Sequence, residues 1–305
     1  MTRPSFRRSL LIFVAIILIA PPPAVFAWGD EGHEITGVIA YARLTPAAKK
    51  SVDPLLARDR DDLTAADFIS RTTWADKYRD SDRLGVKLRY QATRNWHFVD
   101  IEIADGNIDV ACEHHPKLPH GIAASAGPAS ACVIDKIDQF IAELRNPSTA
   151  KAEKLLALKF LLHFIGDLHQ PLHAADNQDR GGNEVPLLFG ERTVPENLHA
   201  YWDTHLVQRL GNDARLAAAT LNQQITKSQA DAWSKGTSTA WAKDSFTQAK
   251  MISYNFAGAR QFTDDHGASG WHLDAAYDNR ALPVVREQLS KAGVRLAAVL
   301  NQIFK

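Results

Sequence analysis

Two cysteines and two methionines are all the sulfur in this 305-residue sequence, so at most one intrachain disulfide can form. Neither charge is in excess. With 35 basic residues against 35 acidic ones, the composition carries no polybasic footprint for gripping duplex nucleic acid. Nucleic acid is not thereby excluded as a substrate, because bound metal can supply the positive charge. No repeat at a period of about 20–50 residues stands out, which argues against a solenoid or propeller. No Asn-x-Ser/Thr acceptor has a permitted middle residue, and the single long apolar run lies near the N-terminus, from Leu10 to Ala20. The remainder, 45% hydrophobic and 23% charged overall, suits a globular protein and excludes a disordered or collagen-like one.

Arg3, Arg7 and Arg8 precede that apolar run, and a Pro-rich stretch ending in Val25-Phe26-Ala27 follows it. This is the charged, apolar and small-residue order of a secretory signal peptide, with cleavage expected after Ala27. The run is short for a bilayer span. Residues 1–27 are therefore expected to be removed, leaving residues 28–305 as one domain in the periplasm or secreted to the medium. Their removal takes three basic and no acidic residues, which leaves a mildly acidic protein. In an oxidising compartment Cys112 and Cys132 are expected to pair, closing a loop worth about 3 kcal/mol in the chain-entropy model.

The periodicity predicts an all-α fold, a single mostly helical domain. Residues 31–44 place Ile35, Val38, Ile39 and Ala42 on one face, and Thr45-Pro46 looks like an N-cap with proline at the first helical position. Helical patterns recur over residues 62–78, 129–144, 149–168, 198–210, 216–225, 230–256 and 284–304. Residues 95–103 alternate apolar and polar side chains, as a short extended segment would. Residues 177–190 read as a loop turning at Gly181-Gly182-Asn183.

Twelve histidines are generous for this length, and several fall into patterns. In His163-Phe-Ile-Gly-Asp167-Leu-His169-Gln-Pro-Leu-His173, His163 and Asp167 are i and i+4 on one helix face. Pro171 ends or bends that helix, so His173 can approach from another direction. Imidazole and carboxylate on one face, with a second imidazole at a bend, suit a first-row metal. His199 and Asp203 repeat the i, i+4 pairing. His97 lies in Trp96-His97-Phe98-Val99-Asp100, where alternation sends His97, Val99 and Ile101 one way, and Asp76 follows Trp74-Ala75 with Arg79 three residues on. Cleavage after Ala27 would give Trp28 a free α-amine, which with a reference pKa of about 8 can lose its proton and bind zinc. His33 is close enough in sequence to share that ion.

These motifs, in this order and spacing, resemble the zinc-dependent single-strand nucleases, the S-one/P-one nuclease family. The resemblance rests on the stretch from Trp28 to Asp203, including Trp-Ala-Asp76, His97-Phe98-Val-Asp100, the His163–His173 block, Gly181-Gly182-Asn183 and Asn-Leu-His199 with Asp203. It implies a helical fold of the phospholipase C/nuclease type with three Zn2+ in a cleft. Asp76, His97, His163 and Asp167 would hold one zinc. The amine and carbonyl of Trp28, His33 and Asp167 would hold a second, and His173, His199 and Asp203 a third. Asp76, Asp167 and Arg79 would be catalytic, Arg79 by neutralising transition-state charge. Phe98 would stack on the base 5′ of the cut, Asp100 would hydrogen-bond its edge, and Asn183 would help to position the nucleotide. The implied substrates are single-stranded DNA and RNA and mononucleotides, cleaved by a monomer with no stable protein partner and no membrane. His169 is not among the ligands and reads as structural or supporting; His114, His115, His120, His205, His266 and His272 have no assigned role. Two alternatives stay open: a zinc-dependent phospholipase C, against which Asp203 and Phe98-Val-Asp100 count, and a zinc-binding protein without catalysis.

Overall fold

The computed structural model describes residues 28–263, 267 and 269–305; the expected signal segment and His266 lie outside the described residues. Helix α1 (Asp30–Ala42) is followed by α2 (Pro46–Leu56), which starts where predicted. Thr45 caps it, its Oγ1 accepting from the Ala48 amide at 3.1 Å. The helix predicted over 62–78 begins only with a 3-10 turn, Ser70–Thr73, and α3 (Trp74–Asp80). Upstream, Asp59, Asp61 and Asp67 turn their carboxylates onto amides two or three residues on, including Leu63 N–H at 2.9 Å and Ile69 N–H at 3.0 Å. Such local bonds compete with the helix ladder.

After α4 (Leu88–Thr93) a 3-10 turn, Arg94–His97, leads into the extended segment, and α5 (Ile108–Ala111) is a single turn. Val99 N–H donates to His173 O at 2.8 Å, and Asp176 N–H to Ile101 O at 2.9 Å, so the chain around His97 lies beside the chain around His173. Helices α6 (Val133–Arg145) and α7 (Lys151–Asp167) pack together and close the main core. Phe140 stacks on Phe160 with centroids 4.9 Å apart, and Trp96 meets Phe160 edge-on at 5.6 Å. Burying each such ring stabilises by roughly 2–3 kcal/mol.

Cys112 and Cys132 form the expected disulfide. The loop it closes braces the His97 segment: Trp96 Nε1 donates to Pro128 O at 2.8 Å and Asn95 Nδ2 to Ala129 O at 3.2 Å. Beneath it, buried Lys136 donates to Gly127 O at 3.0 Å and sits 3.8 Å over the Trp96 ring.

The predicted helix at 198–210 is α8 (Leu198–Ala200), a π-helical turn Tyr201–His205 and α9 (Leu206–Gln208). Helix α10 (Ala214–Gln224) appears as read, whereas 230–256 divides into α11 (Lys227–Trp233), α12 (Ser238–Gln248) and a π turn, Ala249–Ser253. The break falls at Gly236, whose φ of +98° no continuing helix accommodates, and Thr237 caps the next start. The chain closes with α13 (Ala275–Ile303), longer than predicted and packed on α1 and α7.

One correction adds strands. In the segment read as loop, residues 177–190, lies β1 (Pro186–Phe189), which pairs antiparallel with β2 (Glu196–Asn197) beyond it, Pro186 opposite Asn197. It also pairs parallel with β4 (Ser269–Leu273), Leu187 opposite Trp271, and β4 pairs antiparallel with β3 (Arg260–Thr263). The β1–β4 ladder joins segments about 80 residues apart, beyond the reach of local periodicity. The fold remains mostly helical. Among the described residues, no helix is long and apolar enough to cross a membrane.

Candidate metal centre

Five separate stretches of chain bring the predicted ligands together. His33 comes from α1, Asp76 from α3, His97 from its 3-10 turn, and His163 and Asp167 from the last turns of α7. His173 lies in the 3-10 turn Pro171–His173 that follows α7, and His199 and Asp203 lie on α8 and its π turn. All eight side chains are buried. They form three groups whose ligand atoms lie within 4.8 Å of one another: His33, His163 and Asp167; Asp76, His97 and His163; His173, His199 and Asp203.

The imidazoles are aimed by the backbone. His163 Nδ1 donates to Thr72 O at 2.6 Å, His173 Nδ1 to His97 O at 2.9 Å and His199 Nδ1 to Gly181 O at 2.7 Å. Each of these bonds fixes a ring and turns Nε2 inward, the arrangement in which a histidine ligates a metal. His163 Nε2 lies 3.1 Å from Asp167 Oδ2, and His173 Nε2 faces His199 Nε2 at 3.1 Å. His199 Nε2 is 3.3 Å from Asp203 Oδ2. Glycine makes two of these approaches possible. A Cβ on Gly166 would meet His33 Nδ1 at 2.8 Å, and Gly181, at φ +62°, would push one onto Leu172 O at 2.7 Å.

Several buried atoms of these groups have no hydrogen-bond partner: both His33 nitrogens, His97 Nε2, Asp167 Oδ1 and Asp203 Oδ2. Buried polar atoms left in that condition are costly, and three buried carboxylates face a single buried guanidinium, Arg79. Oxygen and imidazole donors converging in groups of three are what zinc takes up, so the residues fit that ion. The fourth cluster of potential donors, Cys112, His115, Cys132 and Asp135, does not, because its sulfurs are joined to each other.

The electrostatics divide the groups. Burial works against the charge of Asp76, but Arg79, His163 and His97 hold its carboxyl well below the usual range. Asp167 is held low, against its burial, by His163, His33 and His97. Burial opposes a charged His163 as well, yet Asp167 and Asp76 push it up to about 10. Burial together with Arg79 brings His97 down to about 4, and burial with His173 brings His199 down to about 3. Burial, then Asp76 and Asp167, push Asp203 up, although Gln170 opposes this.

A cleft of about 300 Å³ opens onto this centre. Of the predicted site residues, Arg79, Phe98, Asp100 and Asn183 line it beside His97, His173 and His199. Arg79 Nη1 pairs with Asp76 Oδ1 at 2.6 Å, and its Nη2 bonds Asp80 Oδ2 at 2.8 Å. The alternation read around His97 holds: His97, Val99 and Ile101 are buried, while Phe98 and Asp100 face the cleft. Desolvation there, then Asp176 and Glu102, push the Asp100 carboxyl up to about 7. Trp28 is buried, with its backbone N–H directed at the Asp203 carboxyl and the next amide, Gly29 N–H, on Asp203 O at 2.9 Å.

Sequence reasoning missed some participants. Gln170 Nε2 donates to Asp203 Oδ1 at 2.6 Å and orients that carboxylate; its place between His169 and Pro171 was the only signal. Asp80 clamps Arg79. Arg83, Tyr90, Arg94 and Arg180 line the cleft without belonging to any motif. His169 turns away from the centre, donating to Ile165 O at 2.6 Å and accepting from Arg295 Nη1 at 2.6 Å. His115 pairs with Asp135 at 2.6 Å and His205 with Glu196 at 2.8 Å, both away from the metal groups.

Comparison with known proteins places these residues in a wider pattern. The family model described as S1/P1 nuclease matches residues 28–305. Endonuclease 2 of Arabidopsis thaliana is 29% identical over 310 residues, covering 97% of this chain and 97% of that protein. Nuclease S1 of Aspergillus oryzae is 28% identical over 311 residues, covering 96% and 97%, and nuclease P1 of Penicillium citrinum is 29% identical over 293 residues, covering 90% and 97%.

Proposed function

The chain belongs to the S1/P1 nuclease family, and on that premise we propose how its residues divide the work of a zinc-dependent nuclease. The enzyme hydrolyses phosphodiester bonds in single-stranded DNA and RNA, leaving 5′-phosphates, and removes the 3′-phosphate of mononucleotides. Three zinc ions would be held by these donors. Asp76, His97, His163 and Asp167 would hold the first. His33, Asp167, the Trp28 amine freed by cleavage after Ala27 and the Trp28 carbonyl would hold the second. His173, His199 and Asp203 would hold the third. The observation that carries this reading is the convergence of buried donors in three groups: the His163, His173 and His199 rings are aimed by backbone carbonyls, and His33, His97, Asp167 and Asp203 hold buried atoms with no hydrogen-bond partner.

When bound, zinc supplies Lewis acidity, making water a competent nucleophile near neutral pH and drawing charge from phosphoryl oxygens. Asp76, held ionised by Arg79 and His163, accepts a proton-side hydrogen bond from the attacking water and so orients it. Arg79 is fixed between Asp76 and Asp80 and offers its guanidinium to the extra negative charge that develops on phosphorus oxygens. Because the guanidinium is already positioned, little reorganisation accompanies the step. Phe98 provides a stacking face for the base 5′ of the cut, worth roughly 1–3 kcal/mol and tolerant of sequence. Asp100 accepts from the base edge, and Asn183, also in the cleft lining, helps to position the nucleotide. A duplex hides the face that Phe98 needs, which gives single strands their advantage. Residues 28–305 act as one catalytic domain, in the periplasm or outside the cell.

The test is hydrolysis of single-stranded DNA by protein beginning at Trp28, before and after chelation and zinc restoration. Cleavage lost with zinc and regained with it, leaving 5′-phosphate ends, is expected. Turnover indifferent to chelation would overturn the reading. A protein carrying one extra residue before Trp28 is expected to bind less zinc, and normal zinc content in it would remove Trp28 from the ligand set.

A further inference from the structure

The cleft continues into a part of the chain that the catalytic reading leaves without a task. Arg83, Tyr90 and Arg94 line its wall, and between them the sequence runs Leu84-Gly-Val86-Lys87-Leu88-Arg89. Leu84 is 88% exposed, Val86 74% and Leu88 70%. Five residues thus hold three of the eight exposed large apolar side chains among the described residues. Exposed apolar groups scattered singly need no explanation, but a cluster marks a binding surface.

This loop is built. Both Asp82 oxygens are engaged, accepting from Arg89 N–H at 2.8 Å and Tyr90 N–H at 3.1 Å, so the carboxylate caps the start of α4. Asp82 O also accepts from Gly85 N–H at 2.9 Å and Lys87 N–H at 3.0 Å, which holds Lys87 at φ +59°. The apolar side chains are therefore held out in solvent by a hydrogen-bonded turn. Cations surround them. Arg83 lies over the Tyr90 ring at 5.1 Å and Arg89 over the Tyr78 ring at 4.7 Å. Among the described residues, neither Lys87 nor Arg94 has an acidic partner, and the nearby acids are occupied, Asp82 by amides and Asp80 by Arg79.

Apolar side chains alternating with unpaired cations, in line with a phosphodiester-cleaving cleft, match one polymer: unpaired bases joined by phosphates. We propose that Arg83–Arg94 is a strand-binding arm that carries single-stranded nucleic acid beyond the nucleotides in the cleft. Tyr90 and the Leu84, Val86 and Leu88 side chains cover base faces, while Lys87 and Arg94 meet phosphates. The proposal rests on the nuclease reading for the identity of the polymer. It deepens that reading by giving the enzyme a preference for longer strands over dinucleotides, in a protein whose overall charge offers none.

The test compares native protein with L84S/V86S/L88S and with K87Q, all at exposed positions. Binding of a fluorescent 12-nucleotide single strand is followed by anisotropy across a salt series, alongside kcat/KM for that strand and for a dinucleotide too short to reach the loop. The triple variant is expected to bind the 12-mer about tenfold more weakly and to cleave it with a similar loss, the dinucleotide rate staying within about twofold. K87Q is expected to lower the salt dependence of binding by about one phosphate contact. Equal affinity of native and variant proteins for the 12-mer would overturn the arm. So would loss of binding to phosphatidylglycerol vesicles with 12-mer affinity unchanged, since that would make the loop a lipid contact. Native protein that binds the strand but cleaves neither substrate would instead count against the nuclease reading, and the affinity ratio would still decide the arm.

Discussion

Asp167 and His169 stand two residues apart at the end of α7, both fully buried, yet they belong to opposite kinds of polar cluster. Around His169 every hydrogen-bonding demand closes on the protein itself. Its ring donates to Ile165 O and accepts from Arg295, which also pairs with Asp244 at 3.5 Å; Lys291 joins Asp244 at 2.8 Å and Glu287 at 2.6 Å. None of these side chains has a buried atom without a partner. Burial, reinforced by Arg295, holds the His169 pKa well down, which suits an accepting neutral ring. Around Asp167 the same residue types converge with acceptors unmet. A buried histidine becomes evidence for a metal only when its neighbours leave it a lone pair to give. Burial and residue type alone do not separate the two clusters; the direction of each nitrogen does.

The largest expected effect comes from the open cluster. Asp167→Asn should cut cleavage of single-stranded DNA by on the order of 10³-fold and lower zinc content measured by elemental analysis. Normal zinc and near-normal cleavage would erase the distinction between the clusters. In the closed cluster, Arg295→Met should cost about 1–3 kcal/mol in denaturant unfolding, because it leaves the buried His169 Nε2 without its donor. Zinc content and kcat/KM of the folded protein should stay within about twofold, and loss of zinc would show that the two clusters are one. Replacing Cys112 and Cys132 together with alanine should lower stability by about 3 kcal/mol. Here kcat/KM should fall further than in Arg295→Met, since the loop braces the segment that carries His97. The smallest effect is expected at the rim of the cleft. With its pKa raised to about 7, Asp100 is a charged acceptor above that pH and gains a proton as the pH falls through it. KM for a dinucleotide offering N–H groups on its 5′ base should then rise about fivefold below pH 7, a hydrogen bond's worth. Asp100→Asn should abolish that dependence, and an unchanged profile in the variant would place the titrating group elsewhere.

Most of the candidate centre was legible before the fold was known, because its candidate ligands come in short-range pairs. His163 with Asp167 and His199 with Asp203 repeat at i, i+4, and a helix alone brings such residues to one side. The Asn95–Ile103 alternation likewise separated buried His97 from the cleft-facing Phe98 and Asp100. Less legible were the residues whose placement depends on another part of the chain. Gln170 reaches Asp203 across 33 positions, and Arg83, Tyr90, Arg94 and Arg180 become a wall only when α4 and the Gly181 turn meet across the cleft. Helix ends were misread where side chains compete for backbone amides, as Asp59, Asp61 and Asp67 do before α3.

Taken alone, the sequence determined the chemistry: which side chains could ligate, in what local pairs, within a mostly helical chain whose motifs resemble a nuclease family. Those properties depend on residue type and on spacings within one or two turns. Tertiary structure decided which pairs share a centre, which nitrogen of each imidazole is free, and that His169 looks away from the site. The reason is that ring orientation is set by carbonyls at Thr72, His97 and Gly181, each more than 15 positions from the histidine it holds. The β1–β4 ladder is decided in the same way, by partners that meet only once the core has closed.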